Sequence, residues 1–140
     1  MAVPPTIKAF LTADSLIQDR AGKWSVIGIF DQVFSAGFPC VHPVVAIYVK
    51  MTDARGHYKV RIEFRDSTDR VLAKFEGVEF QATDGTRGVE FGLTAPYLRL
   101  EKPGRYEFQL YLNDEFTAAT TLSAVQVQPP AVPPPAPPPP

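Results

Sequence analysis

Cysteine and histidine are nearly missing from this chain. With Cys40 as the only cysteine, no internal disulfide can form, and the chain does not look built for an oxidising compartment. His42 and His57 are the only histidines, which leaves little material for imidazole-driven catalysis or a tetrahedral zinc set. An excess of one charge is missing too. The formal net charge is −1, so neither nucleic acid nor an anionic membrane surface gains from electrostatic attraction. No apolar run approaches the roughly 20 residues of a membrane-spanning helix. Met1-Ala2-Val3-Pro4-Pro5 has no basic leader, apolar core or small-residue cleavage site, and the expectation is a cytoplasmic protein with no membrane partner.

Helical periodicity is the next absence, and period-two alternation takes its place. In Pro103–Leu112 the residues Tyr106, Phe108, Leu110 and Leu112 fall on one face of an extended strand. Arg105, Glu107, Gln109 and Tyr111 fall on the other. Pro103-Gly104 opens this strand and Asn113-Asp114 closes it with turn residues. His57–Asp66 repeats the grammar, with Tyr58, Val60, Ile62 and Phe64 inward and Lys59, Arg61, Glu63 and Arg65 outward. Further strands are expected over Thr6–Gln18, Trp24–Phe34, Val44–Thr52, Val71–Phe80, Val89–Thr94 and Phe116–Gln128. Trp24–Phe34 is apolar on both faces, which predicts a central strand.

About eight strands at this spacing predict an all-β fold, a single antiparallel β-sandwich. Residues 6–128 form the domain and residues 1–5 a short arm. Nine of the 15 prolines lie in Pro129–Pro140, so residues 129–140 are expected to be a disordered or polyproline II tail, a spacer or docking peptide.

Few residues have the arrangement that catalysis requires. Cys40-Val41-His42 offers two ligand types with no second cluster to complete a metal site. Asp14 and Asp31 interrupt apolar strands, where a carboxylate costs several kcal/mol unless it is hydrogen-bonded or reaches water. If the first two segments pair about Ala21, Asp31 falls opposite Leu11, about 10 Å from Asp14 at 3.3 Å per residue, too far to share a proton. Asp14, Asp31 and His42 are therefore carried as a candidate polar patch at one end of the sandwich. Gly85, Gly88 and Gly92 lack the spacing of a phosphate loop. No catalytic residue, cofactor or metal ligand is assigned.

Two resemblances add to this. Gly104-Arg105-Tyr106 resembles the tyrosine corner of immunoglobulin-like domains, in which the phenol bonds to upstream backbone. Lys102 and Phe108 stand where that pattern often carries Asp and, in antibody domains, Cys. Ala13-Asp14-Ser15, Gly22–Asp31, Phe38-Pro39, His42-Pro43, Glu90–Leu93, Pro103–Phe108 and Asn113–Phe116 together are similar to a family of small uncharacterised bacterial proteins. That resemblance spans about residues 6 to 128. It implies a bacterial cytosolic β-protein and transfers no catalytic residue.

The reading is a non-catalytic protein-binding or accessory module, using its edge strands or loop end, with a homo-oligomer through an edge strand as one form of partner. Nucleic acid is not expected. Two alternatives are a hydrolase built on Asp14, Asp31 and His42, and a structural subunit of a larger bacterial or phage-like assembly.

Overall fold

A computed structural model describes residues 2–129 and 135–140. The described residues contain nine strands and no helix. In chain order they are β1 (Thr6–Gln18), β2 (Trp24–Ile29), β3 (Gln32–Ser35), β4 (Cys40–Thr52), β5 (Gly56–Arg65), β6 (Val71–Ala82), β7 (Val89–Leu100), β8 (Gly104–Leu112) and β9 (Glu115–Gln126). One sheet runs β2-β1-β4-β7 and the other β3-β9-β8-β5-β6.

The ninth strand comes from the segment expected to be one central strand. Trp24–Phe34 is two edge strands in different sheets. Gly28 sits in the left-handed region at φ 69°, and the chain then bends at Asp31. The Phe30 amide bonds the Thr12 carbonyl of the first sheet, and the Ser123 amide bonds the Asp31 carbonyl as the chain enters the second. There β3 pairs with β9 in parallel, so the fold is not wholly antiparallel. Apolar residues on both faces signal burial only when both faces are covered; here Ile27 and Ile29 remain exposed.

The first sheet also departs from a flat layer, because it curls into a half-barrel. β1 pairs with β4 as far as Ala13 and with β2 from Ala13 onward. The tip of the β1–β2 hairpin folds back over the outer face, bringing Leu16 and Trp24 onto Gly92 of β7. A Cβ at Gly92 would stand 2.5 Å from Leu16 Cδ1 and 2.8 Å from the Trp24 ring, so glycine is what lets the layers meet. Tyr48 packs under Trp24 with ring centroids 6.1 Å apart. Burial, and then its hydrogen bond to Glu90, push the Tyr48 phenol up to about 12.

The main core lies between the sheets and follows the expected alternation. Tyr58, Val60, Ile62 and Phe64 of β5 and Tyr106, Phe108, Leu110 and Leu112 of β8 are all buried, facing Val45, Ile47, Val49 and Met51 of β4. Each such side chain contributes about 1.5–3 kcal/mol by leaving water. Phe64 is central, stacked on Tyr106 at 5.3 Å and tilted against Phe108 at 4.7 Å. The Tyr106 hydroxyl donates to the Lys102 carbonyl at 2.7 Å, tying the start of β8 to the turn before it.

Turns set the register. Asn113 and Asp114 have φ of 52° and 66°, the geometry of a two-residue hairpin loop, and join Leu112 to Glu115. Asn113 also accepts from the Lys59 amide and donates to the His57 carbonyl, both at 2.9 Å. The N-terminal arm is docked: Val3 bridges Arg55, and the buried Tyr58 hydroxyl donates to the Val3 carbonyl at 2.5 Å. The expected polyproline tail lies partly outside the described residues, which omit 130–134; Pro129 and residues 135–140 carry no strand or helix.

Candidate functional site

Asp14, Asp31 and His42, the polar residues singled out by sequence, each have a different immediate neighbour. The expected pairing about Ala21 is present, with Gln18 opposite Trp24 and Ala13 opposite Ile29. It places the Asp14 carboxylate over Gly28, where a Cβ would collide with it. Asp31 stands at the bend between the sheets and lines a shallow cleft with Thr12, Phe30 and Thr120. The His42 ring packs on Phe30 with centroids 5.4 Å apart. Among the described residues, no group of three His, Cys, Asp or Glu side chains is placed to hold a metal ion. His57 lies within β5, opposite Gln81, with Nε2 3.5 Å from Glu79.

A polar network covers the outer face of the five-stranded sheet. Arg61, Glu63 and Arg65 alternate along β5, opposite Tyr111, Gln109 and Glu107 of β8. Glu63 is only 4% exposed; Arg61 Nε meets it at 2.9 Å and an Arg65 terminal nitrogen at 2.5 Å. Arg61 also lies 4.4 Å above the Tyr111 ring. Burial alone would raise the Glu63 pKa, but the bonds from Arg65 and Arg61 outweigh it and hold the carboxyl below its ordinary range. Each arginine also meets a second acid, Asp114 for Arg61 and Asp69 for Arg65. The cations are satisfied within the network, which makes it a brace for the sheet.

A groove lies at the opposite edge from the β2–β3 crossing. β6 ends one sheet and β7 the other, and among the described residues no strand bridges them. Between them runs a groove of about 520 Å³, within the range of small-ligand and peptide sites. Phe64 and Phe75 line it from the second sheet, Pro96 and Leu98 from the first, with Val71 and Tyr97 beside them. Tyr97 has a φ of 50° and is 78% exposed. A bulky residue in that conformation is strained, by about 1–3 kcal/mol, and such strain gathers at ligand contacts. At one end the groove meets a smaller pocket of about 70 Å³, sharing Arg70, Leu72 and Glu101 with it.

Period-two reading misses this groove for a definable reason. It gives a short strand over Val89–Thr94, which stops before Pro96. β7 nevertheless runs on to Leu100, since an edge strand tolerates proline. The available signal was the loss of alternation at Val71-Leu72-Ala73 and Ala95-Pro96-Tyr97-Leu98, where consecutive apolar residues serve both a core and a groove.

These features define an all-β protein of two packed sheets, one curled, with an open seam along one side. The chain belongs to a family of unknown function, DUF6941, whose model matches residues 8–125. No curated protein matches it. Among solved structures it is similar to part of the Pseudomonas fluorescens alkylpurine DNA glycosylase AlkC bound to DNA containing an abasic site analog. There the TM-score is 0.56 at 11% identity, covering 88% of this chain and 31% of that one. A Listeria innocua β-glucosidase in complex with glucose aligns with a TM-score of 0.45 at 9% identity, covering 86% of this chain and 16% of that one. The chain thus spans a third or less of these two solved chains, and the likeness to the glycosylase concerns the fold alone.

Proposed function

We propose that this chain is a non-catalytic protein-binding module, acting in the cytoplasm, and that an extended segment of its partner lies in the seam between β6 and β7. The carrying observation is the groove of about 520 Å³ between two sheet edges that have no further strand among the described residues. Unpaired edges offer backbone donors and acceptors, and an added strand satisfies them while its alternate side chains fill pockets. The far half of β6 is guarded by the bulge at Gly77 and by Glu76 and Glu79. The half lining the groove carries Val71, Leu72, Ala73 and Phe75 instead. The Tyr106 to Lys102 bond supports an immunoglobulin-like reading of the five-stranded sheet.

A photo-crosslinking p-benzoylphenylalanine in place of Tyr97 tests the seam. The expected product is a crosslink to one sequenced segment of a partner protein, lost when Val71→Glu places a charge on the rim. Crosslinks that ignore Val71→Glu, or none at all, would overturn the reading.

A second reading, a homodimer through β2, is favoured by a different observation. Ile17, Ile27 and Ile29 are 53%, 45% and 61% exposed along the β1–β2 hairpin. Lys23 and Asp31 flank Ile27 at equal separation in the sequence. Two copies paired antiparallel about Ile27 would set Lys23 of each against Asp31 of the other. Light scattering should then give a dimer that Ile27→Lys converts to monomer; a wild-type monomer at all concentrations removes this reading.

A further inference from the structure

Resting on the seam as a binding site, we infer that its occupant is an extended peptide whose side chains alternate between apolar and acidic. The stretch of β6 from Val71 to Phe75 and the stretch of β7 from Pro96 to Arg99 border the same groove, so the open length along β6 is about 17 Å at 3.3 Å per residue. That length admits about five or six extended residues. In such a segment alternate side chains point to opposite sides. One set meets Leu72, Phe75 and Pro96, beneath which Phe64 and Leu98 are buried; the other points back to the rim.

The rim is cationic in a chain whose formal net charge is −1. Arg70 and Arg99 line the groove, and Lys102 and Arg105 line the smaller pocket that continues it. Against these four cations the two linings supply only the acids Asp66 and Glu101. Asp66 lies 3.7 Å from Arg70 and Glu101 2.7 Å from Arg99. Lys102 and Arg105 meet no carboxylate within ion-pair distance among the described residues. Arg105 donates to the Thr121 hydroxyl at 3.1 Å, so its charge has no acid against it, and Lys102 stands with no carboxylate beside it at the end of the seam. An apolar floor with a cationic end excludes a basic partner by like-charge repulsion and selects an acidic one. The apolar floor, which a nucleic acid backbone would leave uncovered, favours a peptide over a polynucleotide.

The test is fluorescence anisotropy of the full chain with labelled Val-Asp-Val-Asp-Val-Asp, Val-Thr-Val-Thr-Val-Thr and Val-Lys-Val-Lys-Val-Lys. The acidic peptide should bind about tenfold or more tighter than the basic one, and added salt should shrink the difference. The double variant Lys102→Glu with Arg105→Glu, both exposed side chains, should reverse the order of the acidic and basic peptides. Equal binding of all three peptides would overturn the charge selection while leaving the seam as a peptide site. No binding by any of them up to about 1 mM would overturn both. An oligothymidylate that displaces the acidic peptide more readily than unlabelled acidic peptide does would replace the peptide with single-stranded nucleic acid.

Discussion

Glu63→Ala should lower the stability of the folded chain by about 3 kcal/mol, read as a shifted urea midpoint at neutral pH. The carboxylate is buried, and its removal leaves the guanidinium groups of Arg61 and Arg65 facing each other across the space it filled. Both arginine side chains keep about a fifth of their surface in water, 21% and 20%. That places the expected cost at the lower end of what breaking a fully buried pair does. Glu63→Gln, which keeps the shape and one acceptor, should recover part of the loss. The pH dependence has a definite sign. The folded-state pKa lies below the ordinary 4.5, so the contribution is complete above the unfolded value. It fades as pH falls from there through the folded value. The gap between wild type and Glu63→Gln should therefore narrow on acidification below about pH 4.5. A gap independent of pH would mean that the cost of Glu63→Gln comes from packing alone.

The second large effect is expected at Gly56. Its φ is 115°, and a Cβ there would stand 2.8 Å from the Ala2 Cα. Alanine at this position carries backbone strain of about 1–3 kcal/mol. It also presses on the N-terminal arm, which is backbone and cannot rotate aside. The arm can yield only by leaving Arg55 and Tyr58. That departure strips the Tyr58 hydroxyl of its Val3 acceptor, leaving it the carbonyl and amide of Arg55. Gly56→Ala should cost about 3 kcal/mol in total. Amide hydrogen exchange should show Val3 losing its protection while the β5–β8 core keeps its own. An unprotected Val3 in the wild-type chain would contradict the docked arm.

The parts of the fold that were legible in the sequence are those where one face is dry and the other wet. β5 and β8 are such strands, and their alternation, turns and inward residues read directly from residue order. β1 and β2 were legible in register, since the pairing about Ala21 follows from a short turn. Their position was not. Whether Ile27 faces a core or water depends on which strands end a sheet, and nothing local to Trp24–Ile29 encodes that. The sheet change at Phe30–Asp31 depends on a long-range bond to Ser123. For the candidate site the case is sharper. Asp14 and Asp31 drew notice as charges in apolar company, yet one rests over Gly28 and the other at a bend. The groove is made of ordinary apolar residues, and its chemistry lies in the strand that is missing beside them.

The crossing at Phe30–Asp31 gives the two layers a spine. Along that side one unbroken stretch of chain passes from β2 to β3, stitched by backbone bonds to Thr12 and Ser123, and the layers cannot part without breaking them. Along the β6–β7 side they are fore-edges, joined beyond the strand ends by the Thr83–Gly88 loop at one end and by Glu101–Pro103, leading from β7 into β8, at the other. Widening this mouth to admit a chain would rearrange side chains and break no backbone ladder. Such a molecule takes up an extended guest as a bound book takes a slip of paper, opening on one side because it is held on the other.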